Sequence, residues 1–217
     1  MVKIGVFDSG VGGLSVANAI EKALPDAEVR YVCDAAHVPY GTKTKKELIK
    51  LALPVIKTLE TEDDCDVVVV ACNTVTTMII KQVREELRVP VVAIEPMIKP
   101  AASLTKTRVI AVCATPSTLQ SRRYNELKQE YAKKIEVLEP DCANWALMIE
   151  QNKMDRRQIK SMIEDVISKS ADVIVLGCTH YHWIEQDIRK LAKDRAQVIQ
   201  PEQAIIKRLI ETLGQLA

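Results

Sequence analysis

The chain is expected to be an α/β protein of two pseudo-symmetric lobes, each a four-stranded parallel sheet flanked by helices, with an active site between them. Three observations lead there. The runs Asp66 to Thr74 (DVVVVACNT) and Asp172 to His180 (DVIVLGCTH) are apolar, mostly β-branched stretches that stop at a small residue, then a cysteine and polar side chains. Strands buried on both faces of a parallel sheet read this way. Their cysteines, Cys72 and Cys178, are 106 positions apart (178 − 72), and other strand-like segments recur at that same offset. Finally, strand-like and helix-like segments alternate along the chain, the pattern of repeated βα units.

In order, Val2 to Phe7 reads as a strand broken by Asp8-Ser9-Gly10-Val11-Gly12-Gly13, and Leu14 to Leu24 as a helix with Leu14, Ala17, Ile20 and Leu24 on one face. Glu28 to Cys33 is a second strand, followed by a polar loop carrying Asp34, His37 and Pro39-Tyr40-Gly41-Thr42. Lys45 to Glu60 is helical, with Pro54 expected to kink it or to mark its true start. The Asp66 strand runs through its cysteine loop into a helix ending near Arg88, with Ile79, Val83 and Leu87 on one face, and Pro90 to Ile94 makes a fourth strand.

The second half repeats the order. Arg108 to Cys113 is a strand, Leu119 to Tyr131 a helix, Ile135 to Glu139 a strand, Arg156 to Ser168 a helix, and Asp172 to Gly177 and Ala196 to Gln200 are strands. Shifted back by the cysteine offset, the four strands fall on Val2 to Phe7, Val29 to Cys33, Asp66 to Ala71 and Pro90 to Ile94. Agreement at one offset argues for an internal duplication. The expected lobes are 1–95 and 96–201, with Glu95 to Ser103, which holds two prolines, as the crossover. A last helix at 202–217, with the stripe Ile205, Leu209, Leu213 and Leu216, is expected to return to the first lobe.

Composition narrows the function. With 30 Lys plus Arg against 29 Asp plus Glu there is no electrostatic footprint for nucleic acid or an anionic membrane, and a small ligand is expected instead. The start, MVKIGVFDSG, offers neither a basic leader nor an apolar span, so a cytoplasmic location is expected. The six cysteines contain no C-x-x-C pair and no Cys/His cluster, which speaks against a disulfide framework or a metal site.

In parallel sheets ligands bind beyond the carboxyl ends of strands. Those ends carry Asp8 and Ser9, the 34–42 loop, and Cys72-Asn73-Thr74 in the first half. In the second they carry Thr115 and Thr118, the segment from Cys142 to Glu150, and Cys178-Thr179-His180. If the lobes face each other, Cys72 and Cys178 become opposite walls of one cleft. Two thiols across a small substrate suit proton removal from carbon on one face and delivery on the other, because thiol and thiolate are both reachable near neutral pH. Asp8 could assist Cys72 and His180 could assist Cys178. No cofactor is called for.

FDSGVGGLSV at 7–16, VPYGTK at 38–43, VVACNT at 69–74 and LGCTHY at 176–181 resemble, in order and over almost the whole chain, the glutamate racemases of the aspartate/glutamate racemase family. The resemblance implies a cofactor-independent isomerase that makes D-glutamate for bacterial peptidoglycan. It implies that Cys72 takes the α-proton from the D enantiomer and Cys178 from the L, with Asp8 and His180 as auxiliaries. Substrate contacts would come from Asp8, Ser9, Tyr40, Gly41, Asn73, Thr74, Thr179 and His180, with Thr115, Thr118 and Glu150 at matching positions in the second lobe. A homodimer is compatible with it. Four segments depart from the family pattern: Asp34-Ala35-Ala36-His37 stands where D-T-A-R is usual, His182-Trp183 where a proline follows CTHY, Gln151-Asn152-Lys153 where a glycine turn is usual, and Gln200-Pro201-Glu202 where the tail resembles D-S-A.

Plainer roles stand beside these. Cys33 and Cys113 continue apolar strands and read as core, whereas Cys65 and Cys142 fall in loops without a partner. His37 and His182 can simply face solvent, Asp8 can cap the following helix, and Glu150 reads as an ordinary charge at the start of a helix. Gly10, Gly12 and Gly13 lack the spacing and the lysine of a phosphate loop, and are expected to let backbone approach a carboxylate and a neighbouring helix. The rival functions are racemisation of aspartate or another acidic amino acid, and amino-acid binding without turnover.

Overall fold

Each of the two cysteine runs begins as a central strand. In the computed structural model, which describes residues 1–216, strand β1 (Lys3–Asp8) is followed by helix α1 (Leu14–Ala23), β2 (Glu28–Cys33), α2 (Lys45–Thr61), β3 (Val67–Val70), α3 (Asn73–Glu86) and β4 (Val91–Ala93). Helix α4 (Ile98–Leu104) leads to β5 (Val109–Ala114), α5 (Pro116–Gln120), α6 (Arg122–Tyr131), β6 (Glu136–Leu138), α7 (Trp145–Glu150), α8 (Arg156–Ser168), β7 (Val173–Gly177), α9 (Glu185–Ala192), β8 (Gln197–Ile199) and α10 (Glu202–Leu213). The sheets have the orders β2-β1-β3-β4 and β6-β5-β7-β8, all pairs parallel. The duplication read from spacing is therefore also a duplication of topology.

Alternation of side chains divides each central strand between two cores. Val68 and Val70 join Leu48, Ile56, Leu59 and Val83 on one face of the first sheet, and Val67 and Val69 join Ile4, Val16 and Ile20 on the other. That second core also takes Ile205 and Leu209 of α10. In the second sheet Ile174 and Leu176 pack with Trp145, Ile159 and Tyr181, while Val173 and Val175 pack with Ile98, Tyr124 and Leu127. Ala217, the end of the expected last helix, lies outside the described residues.

Four local expectations change. Helix α2 starts at Lys45, not at Pro54, because Thr44 and Glu47 form a reciprocal capping box that fixes the N-terminus and carries the helix through the proline. The single helix expected over Leu119 to Tyr131 is two, since Ser121 is extended (φ −67°, ψ 146°) and spends its hydroxyl accepting from the Tyr124 N–H at 3.1 Å. The crossover from Glu95 to Ser103 contains α4, whose Pro100 lies in the first turn where no helical N–H is needed, and whose Ile98 and Ala101 are buried. Glu150 ends α7 rather than starting a helix. Among the described residues no helix is long and apolar enough to cross a membrane.

Candidate active site

The carboxyl ends of β1, β3, β5 and β7 converge on one cavity. From the first lobe it is lined by Ser9, Tyr40, Gly41, Cys72, Asn73 and Thr74, and from the second by Thr115, Cys178, Thr179 and His180. Pro39 and Ala146 complete the wall, two apolar residues with no chemical signal in the sequence. The two thiols thus open into the same space. Asp8, Thr118 and Glu150, expected to touch substrate, stand one layer back: each is bonded to a lining residue and none lines the cavity itself.

On the first-lobe side the Cys72 thiol is 3.7 Å from the Ser9 hydroxyl. Burial, and then the charge of Asp8, push this thiol well above its ordinary pKa. Asp8 is fully buried and accepts from the Gly13 N–H at 2.7 Å and from the Thr179 hydroxyl at 3.2 Å. Burial raises its carboxyl above the usual range, although nearby His180 and the donors at Ser9, Gly13 and Thr179 oppose the rise. A carboxylate so placed is a stronger base than one in water.

On the opposite side Cys178 Sγ is 3.7 Å from His180 Nδ1, and His180 Nε2 is 2.6 Å from Glu150 Oε1. Burial works against charge on this ring, yet the bonds to Cys178 and Glu150 outweigh it and lift His180 to about 11. Glu150 is in turn held below the usual carboxylate range, chiefly by His180 and also by the Val11 N–H, 2.9 Å away. The contacts to Glu150 and Cys178 thus favour the protonated ring.

The rest of the lining is neutral. The hydroxyls of Thr74, Thr115 and Thr118 form a cluster across the lobes, with Thr74 to Thr115 at 2.9 Å and Thr115 to Thr118 at 3.0 Å. Asn73 is buried with neither end of its side-chain amide bonded to protein. Buried amides are almost always paired, so this one is a candidate donor and acceptor for a ligand. The Tyr40 hydroxyl donates to Asp34 at 2.7 Å, and His37 Nδ1 meets the same carboxylate at 2.7 Å.

The cavity is narrow, with a volume of about 10 Å³, room for one water, where ligand sites run to roughly 300–1,000 Å³. Gly12 makes this fit: a Cβ there would stand 2.6 Å from the His180 backbone nitrogen, so only glycine lets the 10–13 turn reach the cysteine loop of the other lobe. The carboxylates beside the glycines are Glu150 at Gly10 and Asp8 at Gly13, and the segment against Gly12 is the 310 turn Thr179–Ile184 rather than an α-helix.

Cys142 lies in a loop, as expected, is buried in the second core with Cys113, and its carbonyl accepts from the Tyr181 hydroxyl at 2.8 Å. Two expectations about other residues are corrected. Cys33 is half-buried rather than core, because it ends the edge strand β2. His182 is buried against Ser15 and Glu202 instead of facing solvent. Among the described residues no group of three or more His, Cys, Asp or Glu side chains gathers to hold a metal ion.

The same architecture occurs in known proteins. The sequence profile of the Asp/Glu/hydantoin racemase family matches residues 4–209. Glutamate racemase of Aliarcobacter butzleri is 39% identical over 216 residues, 96% of this chain and 83% of the relative. Glutamate racemase of Methylococcus capsulatus is 37% identical over 210 residues, 95% of this chain and 77% of the relative. The crystal structure of Escherichia coli glutamate racemase in complex with L-glutamate and the activator UDP-MurNAc-Ala superposes with a TM-score of 0.90 at 29% identity, covering 98% of this chain and 82% of that one. Allantoin racemase of Klebsiella pneumoniae shares the fold, with a TM-score of 0.60 at 22% identity. A profile match running from the first strand into the last helix, over two sheets that repeat one strand order, leaves a single reading of this protein's descent: the chain belongs to the Asp/Glu/hydantoin racemase family.

Proposed function

We propose that the protein interconverts L- and D-glutamate by a cofactor-independent, two-thiol mechanism. The observation that carries this is the pair of sulfurs, Cys72 and Cys178, facing one cavity from two lobes, each with its own titratable neighbour. The choice of glutamate is supported by the relatives, among them the E. coli enzyme bound to L-glutamate and the Francisella tularensis enzyme, 30% identical, bound to D-glutamate.

Starting from D-glutamate, Cys72 as thiolate takes the α-proton, leaving a carbanion that the Cys178 thiol protonates from the opposite face. Cys72 ends as thiol and Cys178 as thiolate, and the L enantiomer runs the cycle backwards. Asp8, more basic than a carboxylate in water, removes the proton from Cys72 through the ordered site, and the His180 imidazolium faces the charge that develops on Cys178. The free amide of Asn73 and the hydroxyls of Ser9, Thr74, Thr115 and Thr179 hold the substrate's carboxylates and ammonium. Thr118 acts through Thr115, and Glu150 through His180. Glutamate needs more room than the narrow cavity offers, so the walls contributed by the two lobes move apart to admit it.

The lobes are read as 1–95 and 96–201, with α10 attached to the first. The protein is read as a cytoplasmic source of D-glutamate for peptidoglycan, with no nucleic-acid or membrane partner. Sedimentation at micromolar concentration checks the homodimer that the family resemblance suggests. The reaction is tested by incubating each glutamate enantiomer in deuterated water and following circular dichroism and Cα deuterium content. Loss of optical activity with one deuterium gained is expected, and its absence for both enantiomers rejects racemisation. Cys72→Ala and Cys178→Ala should each abolish it. In an amino-acid panel a clear preference for aspartate would displace glutamate as substrate.

A further inference from the structure

We infer that His182 is a positioning residue that holds the auxiliaries of both thiols in register, by tying the cysteine loop of one lobe to the glycine turn of the other. The inference rests on the racemase reading above. His182 lies four residues beyond Cys178, in the 310 turn Thr179–Ile184, and its side chain is 2% exposed. Its Nδ1 is 2.9 Å from Ser15 Oγ in the first turn of α1 and 3.3 Å from Glu202 Oε1 in the first turn of α10.

The direction of these bonds follows from the partners. Burial raises the Glu202 carboxyl, but bonds from His182 and Gln200 outweigh it and hold the group below the usual carboxylate range, so it can only accept. Ser15 sends its own proton to the Gly12 carbonyl at 3.2 Å, leaving its oxygen to accept as well. Nδ1 therefore carries the ring proton, and Nε2 is buried without a protein partner. The result is a chain from His182 through Ser15 to the carbonyl of Gly12. Gly12 is the residue whose Cα face meets the His180 backbone nitrogen and the Thr179 hydroxyl, and its neighbour Gly13 donates to Asp8. One ring thus closes a loop around Thr179, His180 and Asp8 without touching the cavity. Its two anchors, at 182 and 202, are both positions where the sequence departs from the family pattern, and they are in contact.

The test measures kcat and KM for both enantiomers in His182→Ala, Ser15→Ala, the double variant and His182→Asn, whose amide nitrogen replaces Nδ1. Rates are scaled to the folded fraction from circular dichroism. Each Ala variant should lose about 10- to 100-fold in kcat with KM within about twofold, as displaced reacting groups do. The double variant should lose no more than either single, because both interrupt one chain, and Asn should restore most of the rate. Unchanged kcat per folded molecule, multiplicative losses in the double variant, or no recovery with Asn would each overturn the inference. A wild-type protein that fails to racemise any acidic amino acid would instead remove the reading beneath it.

Discussion

Gly12→Ala isolates the contact between the lobes from every chemical group in the site. Among the described residues no glycine has a positive φ, so alanine is compatible with the backbone at this position. Its methyl group is not compatible with the neighbours: it would lie 2.6 Å from the His180 backbone nitrogen, 2.7 Å from Thr179 Oγ1 and 2.9 Å from His180 Nδ1. Ordinary contact begins near 3.4 Å, so the 178–180 backbone must withdraw by about 0.8 Å (3.4 − 2.6). The Thr179 to Asp8 bonds, already 3.2 and 3.3 Å, then stretch beyond useful length, and the His180 ring moves relative to the substrate face. Misplacement of about 1 Å costs on the order of 100-fold in rate. The assay is steady-state racemisation of each enantiomer followed by circular dichroism, where kcat/KM should fall by the same factor in both directions because the equilibrium constant between enantiomers is fixed. The thermal midpoint should move by only a few degrees, since the loss is local and alanine also restricts the unfolded chain. A folded Gly12→Ala protein with kcat within about twofold of wild type would show that the glycine contact does not set the site.

Three further outcomes are expected. Glu150→Gln removes the carboxylate that helps hold His180 at about 11. A raised histidine pKa contributes stability that is fully present below about 6.5 and is lost as pH rises through 11, so urea denaturation should show wild type more stable by about 1.5–3 kcal/mol at neutral pH, with the difference closing towards pH 11. Asn73→Ala deletes a buried amide that has no protein partner, so the ligand-free protein should be as stable as wild type or about 1 kcal/mol more so, while KM for glutamate rises at least about tenfold. A fall in the melting point together with an unchanged KM would contradict both halves. Pro54→Ala should restore a hydrogen bond on the exposed face of α2 and raise the melting temperature by several degrees, reflecting about 1–3 kcal/mol of helix stability, with racemisation unchanged.

The parts of this molecule that could be read from the chain are those where local pattern and burial coincide. Val67–Val70 is buried on both faces because helices cover both sides of its sheet, and a strand in that position has to be apolar throughout, which is visible in the sequence. Most polar residues that line the cavity are legible by the same logic, since they follow the carboxyl ends of strands, whereas the apolar Pro39 and Ala146 are not. What escaped was decided by contacts across long stretches of chain. Ser121 looks helical between Gln120 and Arg122, and only its use as a cap splits the segment. Glu150 and His180 are separated by 30 residues, and nothing local marks them as an ion pair. His182 sits among polar and aromatic neighbours typical of a surface loop, and is buried only because α1 and α10 close over it.

The proposed helpers of the two thiols are wired crosswise. Asp8, of the first lobe and assigned to Cys72, accepts from Thr179 of the second. Glu150 belongs to the second lobe and, through His180, to Cys178, yet accepts from the Val11 N–H of the first. If the lobes part to admit substrate, each auxiliary would lose a donor supplied by its opposite lobe and regain it on closure. An open form would thus expose its sulfurs with their helpers unset, whereas this structure has both helpers in place. Under the proposed roles, proton transfer at carbon is confined to the closed form, and the short segments 10–13 and 178–182 couple closure to reactivity without either lobe changing its own fold.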